Sequence, residues 1–222
     1  MSKSNKVILQ MRGITKSFPG VVALDNVDFD LRRGEVHALV GENGAGKSTL
    51  VKILAGIYQS DSGEIIFENR IIKHFTPADS LAFGMRFIYQ ELNLVPDFNV
   101  AENVLLGDTY PTGWHHLIHW KTVNSVVRKL LQNLSTTIDP VTPVRELTVA
   151  QQWIVMIARA FYSKGKVIVM DETTASLSRK ETQDLFSVVR SLQESGVGII
   201  YISHNLERVF EIAQRVTVLK DG

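Results

Sequence analysis

The 222-residue chain has no cysteine. That excludes a disulfide framework, a thiol nucleophile and cysteine-ligated zinc, and it suits a reducing compartment such as the cytoplasm. An excess of either charge is also missing. Lys plus Arg is 24 and Asp plus Glu is 23, for a net charge of +1, so no cationic field draws the chain to nucleic acid. No apolar run approaches the roughly 18 residues of a membrane-spanning helix. The opening stretch MSKSNKVILQMRG is apolar only from Val7 to Leu9, too short for a signal peptide. If the protein works at a membrane, it does so through a partner. There are no internal repeats and no low-complexity segments. What is there is 45% hydrophobic and 21% charged residues, the balance of a globular protein with a real core.

The order of patterns predicts an α/β fold. Val7 to Phe18 and Val21 to Leu31 read as strands around an FPGV turn, and Glu35 to Val40 reads as a mostly apolar strand. Gly46 to Ile57 is helical, QSDSG turns, and Glu64 to Ile72 and Met85 to Gln90 read as strands. From about residue 91 to 163 the pattern is helical. Asn99 and Glu102 have capping-box spacing. Val123, Val126, Val127, Leu130, Leu131 and Leu134 recur at helical spacing, and so do Val149, Trp153, Ile154, Ile157, Ala158 and Phe161. The last part alternates: strand Val167–Met170, helix Leu185–Leu192, strand Gly198–Ile202, helix Leu206–Ala213, strand Val216–Leu219. Alternation of this kind implies parallel pairing. The expectation is a single domain over residues 1–222. A mostly parallel core and an N-terminal antiparallel β portion come from residues 1–90 and 164–222, with a helical subdomain inserted at 91–163.

HALVGENGAGKSTLVKIL, residues 37–54, carries the chemistry. Gly41, Gly46, Lys47 and Ser48 fit the P-loop pattern G-x-x-x-x-G-K-[ST], with a strand before and a helix after. Across Gly41, Glu42, Asn43, Gly44, Ala45 and Gly46, the glycines let backbone N–H groups curl round phosphates, and the helix N-terminus adds a positive field. Lys47 is placed to reach the outer phosphates, the Ser48 hydroxyl to ligate Mg2+, and Thr49 to help close the loop. VIVMDE is a buried strand ending in two acids, at the edge where such sheets bind ligands. Beside a phosphate loop, Asp171 suits the Mg2+ shell, and Glu172 suits orienting and deprotonating an attacking water.

Six motifs in order resemble the ATP-binding cassette (ABC) ATPases: GENGAGKST, IYQE with Gln90, LTVAQQ, VIVMDE, ASLS, and YISH with His204. The resemblance runs from about Leu9 to Gly222. It implies a RecA-like P-loop core that binds Mg2+ and ATP and hydrolyses the ATP. It implies that Phe18 stacks on adenine, although the residues alone allow a core aromatic equally well. Gln90 matches a glutamine that touches Mg2+ and the attacking water and senses a transmembrane partner. His204 matches a histidine that contacts the γ-phosphate. Thr148, Val149, Ala150 and Gln151 fall on the family's Leu-Ser-Gly-Gly-Gln segment, which serves the ATP of an opposite cassette. Here both glycines are replaced. Thr148 and Gln151 keep capping-box spacing, but the added side chains take room from a close backbone approach. Thr173 and Ser178 also depart, from the usual Pro and Asp.

Longer stretches, such as SFPGVVALDNVDF and YISHNLERVFEIAQRVTVLKDG, look most like the simple-sugar importers of the ribose, galactose and xylose kind. That implies a motor on the cytoplasmic face of the cell membrane. Two cassettes, the second on the same chain or a dimer mate, close on ATP to drive a transmembrane permease. A solute-binding protein is an indirect partner, and nucleic acid is none. A soluble ABC ATPase acting on ribosomes or DNA is the alternative, disfavoured by the near-zero net charge and the lack of a basic insert. A small-molecule kinase does not need the Gln90, LTVAQQ and His204 set, and a non-hydrolysing module does not need Glu172. In GWHHLIHW, His115 and His119 stand at i, i+4, a metal spacing. No acid or cysteine lies close in sequence, so the segment reads as a surface loop of the helical subdomain.

Overall fold

Two long strands with alternating burial begin the chain, β1 (Val7–Phe18) and β2 (Val21–Arg32), paired antiparallel with Phe18 opposite Val21. The computed structural model describes residues 6–72, 75–112, 117–171 and 177–222. The chain divides into two units: Met1–Phe87, Lys166–Glu172 and Gln193–Gly222 in the first, Ile88–Gly165 and Thr173–Leu192 in the second.

The first unit holds both sheets. β4 (Ser62–Phe67) and β5 (Arg70–Ile72) join the first pair in the order β2-β1-β4-β5. The sequence pattern suggests one strand from Glu64 to Ile72, but the structure makes a hairpin. Glu68 and Asn69 take φ of 48° and 65°, the paired left-handed conformation of a two-residue turn that matches the twist of antiparallel strands. Phe67 therefore pairs with Arg70.

The second sheet has the order β6-β7-β8-β3-β9, formed by β3 (Val36–Gly41), β6 (Met85–Ile88), β7 (Val167–Asp171), β8 (Gly198–Ile202) and β9 (Arg215–Leu219). The pairs β3–β8, β3–β9 and β7–β8 are parallel, as the alternation predicts. β3, β7 and β8 are apolar and buried almost throughout, as strands covered on both faces must be. Three helices belong here: α1 (Lys47–Leu54), α2 (Pro77–Ala82) and α7 (Leu206–Ile212). The strand and helix patterning misses α2, although Thr76 and Asp79 form a full capping box around its N-terminus with Pro77 at its start. Leu9, Met11, Ile14, Leu39, Leu50, Ile53, Phe67 and Ile200 lie in one buried cluster.

A polar knot ties β2 to the sheet. Arg215 donates to both Asp30 carboxylate oxygens, at 3.0 and 2.8 Å, and to the Glu35 carboxylate. His37 stacks on Phe29 with ring centroids 4.6 Å apart. Its Nδ1 donates to Asp30 O (2.6 Å), and Nε2 accepts from the Thr217 hydroxyl (2.8 Å). Burial, and then the Arg215 charge, push the His37 pKa below its ordinary value.

The second unit carries α3 (Val100–Leu105), α4 (Trp120–Asn133), a 3-10 turn (Val144–Glu146), α5 (Val149–Tyr162) and α6 (Arg179–Glu194) as far as Leu192. Helix fills only part of the stretch from 91 to 163. Pro96, Pro111, Pro140 and Pro143 interrupt it, each lacking the N–H that a helix interior needs. Asn99 and Glu102 form the expected capping box.

Candidate functional site

β3 leaves the sheet at Gly41, and the chain then turns through an exposed Glu42–Asn43–Gly44 and a buried Ala45–Gly46 into α1. Leu50, Val51, Ile53 and Leu54 bury one face of that helix and fix its direction. Gly46 stands at its N-cap with φ 99° and supplies no side-chain bond, so the first N–H groups of α1 are not spent on a side-chain cap. Lys47 Nζ donates to Gly41 O and Glu42 O, both at 2.8 Å. The ammonium is thus folded into the loop that precedes it. Ser48 is exposed and Thr49 half-buried on the first turn.

The parallel register brings two further groups to this edge. Leu39 of β3 and Asp171 of β7 both pair with Ile202 of β8. With strands about 4.8 Å apart, Asp171 stands about 10 Å from Leu39 across β8. Gly41 lies two residues beyond Leu39, and an exposed His204 two residues beyond Ile202. The phosphate loop, Asp171 and His204 therefore share the carboxyl edge of one sheet, the place where open α/β sheets bind ligands.

The hairpin that bears Phe18 flanks the same loop. A Cβ on Gly46 would meet Ala23 O at 2.5 Å and Leu24 Cδ2 at 2.7 Å. Phe18 is half-buried, edge-on to Tyr58 with centroids 5.3 Å apart, and Lys16 Nζ stands 5.7 Å from its ring centre. Lys16 also bonds Asp61 (2.6 Å). That bond and the Ser17 N–H hold the Asp61 carboxyl below its ordinary range. Tyr58 follows α1, and nothing in its sequence position marks it as the partner of Phe18.

Gln90 and the Thr148–Gln151 segment belong to the second unit. Gln90 is exposed just after β6. Thr148 caps α5: its Oγ1 accepts from Gln151 N (3.3 Å), and Gln151 Oε1 accepts from Thr148 N (3.0 Å). The two glycine replacements part company. Val149 is 43% exposed, but Ala150 only 4%. Of the two replacements, only Val149 is an exposed side chain at the start of α5. Glu172, Thr173 and His115 lie outside the described residues. His119 contacts the Thr122 hydroxyl (2.5 Å), and no cluster of metal-ligating side chains occurs among the described residues.

Residues 24–175 match the family model described as ABC transporter. A ribose import ATP-binding protein of Rubrobacter xylanophilus is 50% identical over 215 residues, covering 97% of this chain and 43% of that protein. A xylose import ATP-binding protein of Thermoanaerobacter pseudethanolicus is 46% identical over 220 residues, covering 98% and 43%. The chain thus spans less than half the length of these curated relatives. Among solved structures, an ATP-binding cassette of an ABC transporter in its ADP conformation superposes with a TM-score of 0.85 at 29% identity, covering 98% of this chain and 89% of that one.

Proposed function

This chain belongs to the ABC transporter family, and on that premise we propose that it binds and hydrolyses ATP to drive import of a small solute, a simple sugar, through a membrane permease. One observation carries the reading: Lys47 sits inside its own glycine loop at the carboxyl edge of β3, and the same edge bears Asp171 and His204. The ribose and xylose import relatives support transport over action on ribosomes or DNA, and the net charge of +1 supports it too.

The loop N–H groups and the N-terminus of α1 bind the phosphates. Lys47 moves from Gly41 O and Glu42 O to the outer phosphate oxygens, exchanging neutral acceptors for charged ones. The Ser48 hydroxyl and the Asp171 carboxylate would supply hard oxygen ligands of the kind that suits Mg2+, and the family resemblance gives Gln90 a part in the same shell. When bound there, Mg2+ would supply positive charge against the phosphates. Glu172 takes the proton of the attacking water as its oxygen bonds to the γ-phosphorus and the bond to the bridging oxygen breaks, releasing ADP and phosphate. His204 steadies the γ-phosphate, and Phe18 stacks on the adenine. Thr148 to Gln151 serve the ATP of a second cassette, on a longer chain or a dimer mate. The assembly lies on the cytoplasmic face, with a solute-binding protein as its indirect partner. Among the described residues no helix is long and apolar enough to cross a membrane.

The test is a pair of substitutions and a purification. Lys47→Ala loses binding of a fluorescent ATP analogue; unchanged affinity overturns the site. Glu172→Gln binds Mg-ATP but releases no phosphate in the assembled transporter. Membrane co-purification yields a permease, whereas recovery on ribosomes or DNA overturns transport.

A further inference from the structure

Arg159, half-buried on α5, places its guanidinium on neutral oxygens. Nε donates to Asn103 O (2.6 Å), Nη1 to Asn93 O (2.9 Å) and Nη2 to Asn103 Oδ1 (3.1 Å). Burial lowers its pKa from the ordinary value, so the charge is held there at a desolvation cost that an apolar side chain of similar size would avoid. What the guanidinium adds is a rigid fork of donors. Asn103, fully buried on α3, extends that fork. Its Nδ2 donates to Val95 O (3.0 Å), Phe98 O (3.3 Å) and Asn99 O (3.1 Å), and its Oδ1 accepts from Val95 N (2.9 Å). Together the two side chains grip one backbone bend, Asn93 to Asn99.

That bend starts three residues after Gln90. It is also tied to the entry of α5. Val144 N donates to Phe98 O (3.0 Å), Arg145 N to Pro96 O (3.0 Å), and Arg145 Nη1 pairs with Asp97 (2.6 Å). Residues 144–147 lead straight into Thr148. The bend is therefore held twice, near the start of α5 and by Arg159 further along it. From Thr148 to Arg159 the helix advances about 16 Å at 1.5 Å per residue. Two attachments that far apart fix orientation as well as position.

We propose that Arg159 is a positioning residue that, through Asn103, locks the Asn93–Asn99 bend to α5, so that a shift of the Gln90 loop reaches the Thr148–Gln151 segment as movement of one rigid body. What the two ends do rests on the ATPase reading; the lock itself does not.

The test compares Arg159→Met and Arg159→Lys with the parent chain. Hydrogen exchange is read by mass spectrometry over residues 91–99, α1 and α4. Steady-state ATP turnover is read in the assembled transporter. Methionine fills the space without donors, and exchange at 93–99 rises about tenfold, as loss of hydrogen bonds to a charged group implies, while α1 and α4 are unmoved. Affinity for the ATP analogue stays within about twofold and kcat falls about tenfold at constant KM, since the lock serves turnover and not the Lys47 loop. Lysine, which keeps the charge but has a single donor point, gives intermediate values and keeps the test open if the methionine variant fails to fold. Parent-like exchange at 93–99 in both variants, or an even rise across the whole chain, overturns the proposal. Raised exchange with unchanged turnover overturns it as well. Failure of Lys47→Ala to weaken nucleotide binding strikes the ATPase reading instead and leaves the exchange result standing.

Discussion

Alanine at Gly46 meets two obstacles that alanine at Gly44 does not meet together. Both positions have left-handed backbone, with φ of 99° and 89°. That alone costs an L residue roughly 1–2 kcal/mol. At Gly44 nothing lies within 4 Å of the added Cβ, and the cost ends there. At Gly46 the methyl group falls 2.5 Å from Ala23 O, a backbone atom of β2 that cannot swing aside. Overpacking of this kind adds about 1–3 kcal/mol, for about 2–5 kcal/mol in all, against a typical total stability of roughly 5–15 kcal/mol. The assay is urea unfolding of the three chains followed by far-ultraviolet circular dichroism. With a slope near 2–3 kcal/mol per molar urea, the added overpacking cost puts the Gly46→Ala midpoint about 0.3–1.5 M below that of Gly44→Ala. Coincident midpoints would refute the idea that β2 braces the phosphate loop, and would leave conformational strain as the whole effect.

Acidification is expected to weaken the fold through His37. Its folded pKa is lowered, so the unfolded chain binds a proton near pH 6.5 that the folded chain refuses. Stability is full above that pH and declines below it toward the folded pKa. Thermal midpoints from pH 7 to 5 fall in the parent and flatten in His37→Gln; equal slopes sink this account. Phe18→Ala loses its edge-on contact with Tyr58 and weakens ATP and GTP analogues alike, by roughly fivefold if stacking is worth about 1 kcal/mol. A loss that spares GTP rules out simple stacking. Val149→Gly raises ATP turnover in concentrated solutions of the chain, because it clears the one exposed replacement. Ala150→Gly instead costs about 1 kcal/mol of helix stability with no gain in rate, and the reverse ranking would show that the buried residue is the obstacle.

What the sequence discloses is local. The stretch from Val36 to Leu54 is legible because a buried strand, glycines at fixed spacing and an apolar helix face are all patterns within twenty residues. The Thr148–Gln151 cap is legible for the same reason, as both partners lie on one turn. The β4–β5 hairpin escapes because Glu68 is an unusual residue for left-handed backbone. The burial of Ala150 depends on what α5 packs against. The grip of Arg159 on Asn103 joins residues 56 positions apart. Neither Tyr58 beside Phe18 nor Arg215 between Asp30 and Glu35 leaves a mark in spacing, since the fold alone makes them neighbours.

The strand order of the parallel sheet also sets a timetable for synthesis. β3 is among the first elements made, yet both its neighbours, β8 and β9, come near the end, and His37 finds Thr217 only 180 residues later. At roughly 5–20 residues per second, an emerging chain holds that bare apolar strand on the order of ten seconds or more before a partner strand leaves the ribosome. Pairings so remote in sequence close late and slowly. The knot at Arg215 can form only after β9 appears. In the interval β3, Val36–Gly41, is an unpaired sticky edge, and a translational pause or a cut before Gly198 turns this protein into a client for chaperones or a seed for aggregates.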